Sequence, residues 1–332
     1  MSVKTYRVGV IGVGHLGSLH AKMLADLPGA ILSGVFDTDV AKAKRVAGEN
    51  QTSVFNDAPS LLAASDAVTI ATTTSTHCAV ARQVLEAGRH LFIEKPITET
   101  VEEAEILCRL AREHGLVLQV GQIERFNPAI LALEPYELKP LFIESHRLSQ
   151  FNPRGTDVAV VLDLMIHDID LILSFVRSPV KSVEANGVAV VSETIDIANA
   201  RIQFANGCVA NVTASRISQR RMRKMRLFQP DTYISIDFSE GMAEVFRLVG
   251  EGEPAVKGTL MLGELGAGTR KKRILYEQPE VQEVNPLKHE LGLFLHAVRT
   301  NTPPVVSGED GKRALEVADS IMKKISQQGL PR

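Results

Sequence analysis

Tryptophan is absent from these 332 residues, and cysteine occurs only three times. Cys78, Cys108 and Cys208 stand far apart and none belongs to a CxxC pair, which argues against a disulfide framework and a cysteine-built zinc site. They read as small buried side chains in a reducing cytoplasm, the expected location of the protein. An excess of one charge is missing too: 37 lysines and arginines meet 39 aspartates and glutamates, for a net charge of -2. That balance gives no reason to expect nucleic acid or a membrane as a partner. No apolar run is long enough to span a bilayer. The stretch from Met1 to Gly14 enters a strand at once, without the basic, apolar and small-residue succession of a signal peptide. What the chain does have is apolar side chain, 45% of the total, and at this length two domains with separate cores are expected.

Residues 1–122 alternate short apolar runs with helix-period segments. Strands are expected at Tyr6–Ile11, Ile31–Phe36, Ala67–Ala71, His90–Ile93 and Leu116–Val120, with a weaker one at Ser53–Phe55. Between them lie amphipathic stretches: Leu16, Leu19, Met23 and Leu27 in one, Val80, Val84 and Leu85 before Gly88 in another, and Val101 to Leu110 before Gly115 in a third. Strands apolar on both faces that alternate with helices predict a doubly wound parallel α/β sheet. The pattern changes over residues 123–332. Asn127-Pro128 starts a helix, Leu141–Ser149 is a strand, and Asp157 to Val176 reads as one long helix. Strands with tight turns follow from Lys181 to Tyr276, including a hairpin of Ala198–Phe204 and Cys208–Ala214 around Asn206-Gly207. Two helices close the chain and are expected to pack back towards the first domain. This second domain is therefore α+β, with a large, mostly antiparallel sheet. Such a sheet needs only one face covered by helices, so the other is available to a second copy, and a homo-oligomer (dimer or tetramer) is expected.

Gly12-Val13-Gly14-His15-Leu16-Gly17 is a GxGxxG placed directly after the first strand and at the start of a helix. In that context the glycines allow a tight turn and close backbone approach to a pyrophosphate, and the helix N-terminus favours its negative charge. The second strand ends at Asp37, whose carboxylate suits ribose hydroxyls and repels a 2′-phosphate, so NAD is expected ahead of NADP. Lys42, Lys44 and Arg45 lie close by in sequence, either as a solvated helix face or as a phosphate site in a rearranged loop.

Two further segments follow parallel strands, where ligands of such sheets bind. Thr72, Thr73, Thr74 and His77 come after the fourth predicted strand, as nicotinamide-side partners or as helix N-caps. Glu94-Lys95-Pro96 comes after the fifth, where a lysine is unusual because burying an unpaired ammonium is expensive. Asp163 and His167 stand at i and i+4 and interrupt an apolar segment running from Val158 to Leu173.

With these motifs in order, the sequence resembles the glucose-fructose oxidoreductase, inositol dehydrogenase and rhizopine-catabolism family (Gfo/Idh/MocA) over nearly its whole length. Ser307-Gly308-Glu309-Asp310-Gly311 before the last helix adds to the likeness. Two departures are Thr73, where the family commonly has proline, and Arg154-Gly155-Thr156-Asp157-Val158, where many members are richer in glycine. The resemblance implies hydride exchange between a nicotinamide cofactor and a secondary hydroxyl of a sugar or polyol. It makes His167 the general acid/base, Lys95 a donor to the reacting oxygen and Asp163 the group that orients substrate or lysine. It further implies that Gly12, Gly14, His15, Leu16, Gly17, Asp37, Thr72, Thr73, Thr74, His77, Glu94 and Lys95 line the cofactor. The segments around Gln122, Arg125 and Arg154 look closest to members acting on nucleotide sugars, which implies UDP-N-acetylglucosamine oxidised at C3, with those residues as substrate contacts. The basic run Arg216, Arg220, Arg221, Arg223, Lys224 and Arg226 is a second diphosphate candidate or a solvated edge. No metal is expected. Three other readings stay open: a redox-neutral glycosidase-type enzyme that recycles NAD, a non-catalytic NAD-dependent regulatory binder, and metal-assisted hydrolysis by Asp163 and His167.

Overall fold

The computed structural model describes residues 4–152, 158–250, 259–266 and 272–327; Arg154 and Asp157 lie outside them. The chain divides into two units, Met1–Phe126 with Asn285–Glu316, and Asn127–Val284 with Val317–Arg332.

In the first unit, strands β1 (Tyr6–Ile11), β2 (Ala30–Phe36), β3 (Ala67–Ile70), β4 (His90–Glu94) and β5 (Leu118–Gly121) form a parallel sheet in the order β2-β1-β3-β4-β5. Val68, Ile70, Leu91, Phe92 and Ile93 are fully buried, as expected of strands covered on both faces. The helices are α1 (His15–Ala25), α2 (Val40–Glu49), α3 (Ala58–Ala63), α4 (Thr74–Glu86) and α5 (Val101–Glu113). Asp39 and Asp57 cap α2 and α3 through their carboxylates, and Thr100 with Glu103 makes a reciprocal capping box on α5. The weak strand expected at Ser53–Phe55 reduces to one bridge, Val54 to Val35.

A second correction concerns α1. Its buried face is Gly17, His20, Ala21 and Leu24, whereas Leu16 is 45% and Leu19 37% exposed. Helical period is satisfied by both stripes, but close approach decides between them: a Cβ on Gly17 would stand 1.8 Å from the Gly12 carbonyl oxygen. Only the small-residue stripe can face the sheet.

The segment after Val284 completes this unit. Leu291, Phe294 and Leu295 of a helix at Pro286–Thr300 join one buried cluster with Val8, Val10, Leu24 and Phe92. A final helix, Gly308–Gln327, begins with Ser307 and Asp310 bonded reciprocally, Ser307 Oγ donating to the Asp310 carboxylate at 2.7 Å. A Cβ on Gly308 would stand 2.6 Å from Leu118 Cδ2, and one on Gly311 2.6 Å from Val120 Cγ2. Those glycines let the helix start close against β5.

The second unit opens with the short helix α6 (Pro128–Leu131), capped by the Asn127 side chain. Among the described residues its sheet has nine strands: β6 (Phe142–Leu148), β7 (Val180–Val188), β8 (Ile197–Phe204), β9 (Val209–Ser215), β10 (Met222–Gln229), β11 (Thr232–Asp237), β12 (Met242–Gly250), β13 (Leu260–Leu265) and β14 (Lys272–Glu277). Their order is β13-β14-β12-β11-β10-β6-β9-β8-β7. Every neighbouring pair is antiparallel except β6 with β9, because the chain leaves β6, crosses through a helix and the β7–β8 hairpin, and returns in the same direction. Helix α7 (Ile166–Val176) is buried almost all round. It is not the regular continuation expected from Asp157: Val161–Met165 forms a π-helical turn ahead of it, a wider turn that re-aims the side chains it carries.

Alternation along the strands puts Ile143, Ala200, Ile202, Val212, Leu227, Ile234 and Val245 on the buried face. On the other face a row of rings crosses five strands, Phe142, Phe228, Tyr233, Phe246 and Tyr276, with successive centroids 5.8, 5.0, 5.4 and 5.1 Å apart. Three buried charged side chains fix the rest. The Arg147 guanidinium on β6 holds Asp168 of α7 with two bonds, 2.7 and 3.0 Å. Asp196, before β8, accepts the amides of Val190, Val191 and Ser192 and the Ser192 hydroxyl.

Burial pushes the Asp196 carboxyl up, but those donors outweigh it and hold it down at about 2. A depressed carboxylate contributes stability that is complete above its unfolded value, roughly 3.9, and is lost as pH falls towards the folded one. Asp196→Ala, which removes the acceptor of three part-buried amides and the Ser192 hydroxyl, is expected to destabilise the protein by about 1–3 kcal/mol at pH 7. In urea unfolding the gap from wild type should narrow between pH 5 and pH 3; a constant gap would refute the assignment.

Candidate active site

Three backbone turns converge at the C-terminal ends of β1, β2 and β3, beside the place where strand order reverses. Gly12 sits at φ +81°, and a Cβ there would strike Thr72 Cγ2 at 2.6 Å, so the first glycine is required both by its conformation and by the β3 loop packed on it. Gly14 differs. Its φ is -64° and a Cβ would meet no atom within 4 Å, so protein packing does not demand a glycine here. An open side next to the N-terminus of an eleven-residue helix, where unpaired amides point outward, is what a dinucleotide's pyrophosphate fits. His15 and Leu16 are exposed beside it.

The Asp37 carboxylate is fixed from both sides. Oδ2 accepts the Val13 amide at 2.7 Å and Oδ1 the Asp39 amide at 2.8 Å. Each oxygen keeps acceptor capacity for a ribose hydroxyl, and the carboxylate also ties the glycine loop to the end of β2. Lys42 pairs with Asp39 at 3.2 Å and Arg45 with Glu49 at 2.8 Å, all on the solvated side of α2. Thr73 is the N-cap residue of α4 but makes no side-chain cap bond; it is exposed, while Thr72 and Thr74 are half-buried. The Thr76 hydroxyl donates to that of Thr72 at 2.8 Å.

Glu94 ends β4 and is followed by Lys95 and a cis peptide to Pro96. Its Oε1 lies 3.0 Å from His20 Nε2 of α1, and its Oε2 accepts the Lys95 amide at 3.3 Å. His77, read from sequence as a cofactor residue, is 1% exposed. Its Nδ1 lies 2.9 Å from the Pro96 carbonyl and its Nε2 3.2 Å from that of Thr72. Burial pushes its pKa down against the pull of those carbonyls. The ring thus ties the β3 loop to the β4 loop from within. His20 was not singled out from sequence, although it is the one polar side chain on the i, i+3, i+4, i+7 face that also holds Gly17, Ala21 and Leu24.

In the second unit, Asp163 belongs to the π-helical turn and His167 to the first turn of α7. Both are half-buried, within a stretch where Val161, Met165, Ile166 and Asp168 are buried. The charge next to His167 is therefore already taken: Asp168 is sealed against Arg147, at 1% and 5% exposure. Helical spacing separates Asp168 from the Asp163 and His167 face, but the sequence does not show that Arg147 lies opposite it.

Gln122 is buried, its Oε1 without a partner among the described residues. Arg125 is drawn to Asp310 at 3.8 Å and to the Val305 carbonyl at 3.5 Å. The basic run is dispersed: Arg216 is buried beside Asp196 and the Val158 carbonyl, Lys224 pairs with Asp237 and Arg226 with Glu144. Among the described residues no three His, Cys, Asp or Glu side chains could hold a metal ion, and no helix is long and apolar enough to cross a membrane.

Residues 6–122 match the family model described as an oxidoreductase family with an NAD-binding Rossmann fold, and residues 140–244 match that of the GFO/IDH/MocA C-terminal domain. A UDP-N-acetylglucosamine 3-dehydrogenase of Acidithiobacillus ferrooxidans is 38% identical across 94% of this chain and 95% of its own. A solved structure of the enzyme of that name from the same organism superposes with a TM-score of 0.87 at 37% identity, covering 97% of this chain and 98% of that one. The NAD-dependent scyllo-inositol 2-dehydrogenase of Bacillus subtilis is 30% identical over 64% of this chain and 68% of its own. The dinucleotide loop, the Glu94-Lys95-Pro96 turn and the two-unit architecture thus have one explanation: the chain belongs to the Gfo/Idh/MocA family of oxidoreductases.

Proposed function

We propose that the protein is an NAD-dependent dehydrogenase that oxidises a ring hydroxyl of a UDP-sugar to a ketone, with C3 of UDP-N-acetylglucosamine the foremost candidate. The observation that carries the substrate is the match, from end to end and through both units, to a relative named for that reaction. NAD, when bound, supplies the hydride acceptor. The glycine loop and α1 N-terminus hold its pyrophosphate and Asp37 its adenosine ribose, while Lys42 and Arg45 are engaged with Asp39 and Glu49 on the outer side of α2. Thr72, Thr73, Thr74 and Glu94 line its nicotinamide half, and His77 supports that wall from behind. His167 takes the hydroxyl proton, a general-base role that imidazole is suited to. The Lys95 ammonium stabilises the oxygen as it loses that proton, and Asp163 orients the substrate. Gln122, Arg125 and Arg154 serve as contacts to the sugar nucleotide.

The second unit supports self-association. The aromatic row from Phe142 to Tyr276 lies on the sheet face opposite the buried one, with Phe228 38% exposed. A contiguous apolar strip of this kind is what an oligomer interface covers. We assign it to a second copy of the chain.

Four outcomes are expected. Purified protein given NAD and UDP-N-acetylglucosamine should raise absorbance at 340 nm, faster than with NADP or a free sugar. Lys95→Met and His167→Asn should each cost about 10²–10⁴-fold in kcat with NADH binding nearly intact. Full turnover in either variant would remove its assigned role. Gly14→Val is expected to weaken NADH binding in a fluorescence titration while leaving the melting temperature unchanged, whereas Gly17→Val, which drives into the Gly12 carbonyl, lowers both. Equal effects on stability would contradict the open side of Gly14. Light scattering should give a mass of two or more chains, and Phe228→Glu with Tyr233→Glu should reduce it; an unchanged mass would place the interface elsewhere.

A further inference from the structure

His20 is the unexplained group of the first unit. Its ring is completely buried in a helix face otherwise made of Gly17, Ala21 and Leu24. It stands edge-on to Phe92, centroids 5.3 Å apart at 75°, and Phe92 in turn stands edge-on to Phe294. Among the described residues Nδ1 has no hydrogen-bond partner. A leucine would fill such a space without the cost of burying an unpaired nitrogen. What the histidine adds is the 3.0 Å bond from Nε2 to Glu94, whose side chain is only 13% exposed.

Glu94 has little freedom of its own. A Cβ on Gly121 would come within 3.0 Å of its Oε1, so it lies over the end of β5 as well as β4. Its second oxygen receives the Lys95 amide, and His77 of α4 lies within range of its charge. The helix that carries His20 is positioned by Gly17 against the Gly12 carbonyl. A continuous series of contacts therefore runs from the dinucleotide loop through α1, His20 and Glu94 to the backbone of Lys95.

We propose that His20 is a positioning residue: by holding the Glu94 carboxylate it fixes the Lys95 turn in register with the loop that receives the dinucleotide. The inference rests on the dehydrogenase reading for its catalytic consequence, but the positioning itself does not need substrate. In His20→Leu the space is filled and the donor lost; in His20→Gln an amide nitrogen can reach the same carboxylate.

Two measurements on the full-length protein test it. In the substrate-free protein, acetylation of Lys95 by a limiting amine reagent at one pH, mapped by mass spectrometry with Lys22 and Lys42 as internal references, should change several-fold in His20→Leu and match wild type in His20→Gln. In turnover, His20→Leu should lose about a hundredfold in kcat, as a misplaced catalytic group does, with the KM for the sugar nucleotide unchanged and the loss largely restored by His20→Gln. Lys95 reactivity identical in all three proteins would overturn the proposal, as would a leucine variant that merely melts earlier. If wild type turns over no UDP-sugar, the substrate assignment falls and the labelling result still decides the role of His20.

Discussion

The approach of Gly17 to the carbonyl of Gly12 is the constraint on which the first unit depends. At that separation there is room for a hydrogen and nothing larger. The helix after β1 is thereby forced to begin against the strand it has just left, which aims its first amides outward past Gly14, the only glycine of the three with open space beside it. The same contact fixes the rotation of α1 about its own axis. That rotation turns Leu16 and Leu19 to the outside and brings His20 under the end of β4. The ligand-facing backbone and the buried histidine are two consequences of one close contact.

How much of this was legible in the sequence depended on whether a segment's environment could be inferred from the segment itself. The strands from Tyr6 to Val120 are apolar on both faces because helices cover both, so their existence, direction and order of appearance could be read locally. The hairpin at Asn206-Gly207 carries its own turn chemistry and emerged within a residue or two of its expected bounds. Helix α1 was misread because two stripes satisfy the same period, and choosing between them requires knowing what Gly17 touches. The π-helical turn at Val161–Met165 was invisible for a related reason. One extra residue per turn leaves no compositional trace, yet it changes how Asp163 stands relative to His167. The parallel pairing of β6 with β9 depends on a crossover of more than fifty residues, about which neither strand carries information.

Charged residues show the same limit more sharply. Asp163, Asp168 and Asp170 are close in sequence and alike in type, but Asp168 is sealed in a bidentate pair with Arg147 while Asp163 is half-buried. The acidic residues most important to the local structure, Asp168 and Asp196, were distinguished only by partners brought from elsewhere. Removing two such charges from water costs several kcal/mol each, and the bonds they make recover only part of it. Their value is therefore in specificity: a slipped β6 or a rotated α7 would leave Arg147 and Asp168 buried without each other, which is far worse than losing an apolar contact. The pair makes one setting of the helix that carries His167 much better than its neighbours.

The large sheet of the second unit extends this argument to its two faces. One face is filled by small and branched side chains, Ala198, Ala200, Ala210, Val212 and Ala214, so that α7 can lie close to it. The other carries long charged and aromatic side chains that pair across strands, Arg226 with Glu144 and Phe228 with Tyr233. A face meant only for water has no need of five rings in a row, because each costs apolar exposure. A face meant for a core would not carry ion pairs beside the rings, because each costs desolvation. Rings in a row with ion pairs beside them have the mixed composition that the proposed contact with a second copy calls for, and alternation along each strand sets that row on the face opposite the core.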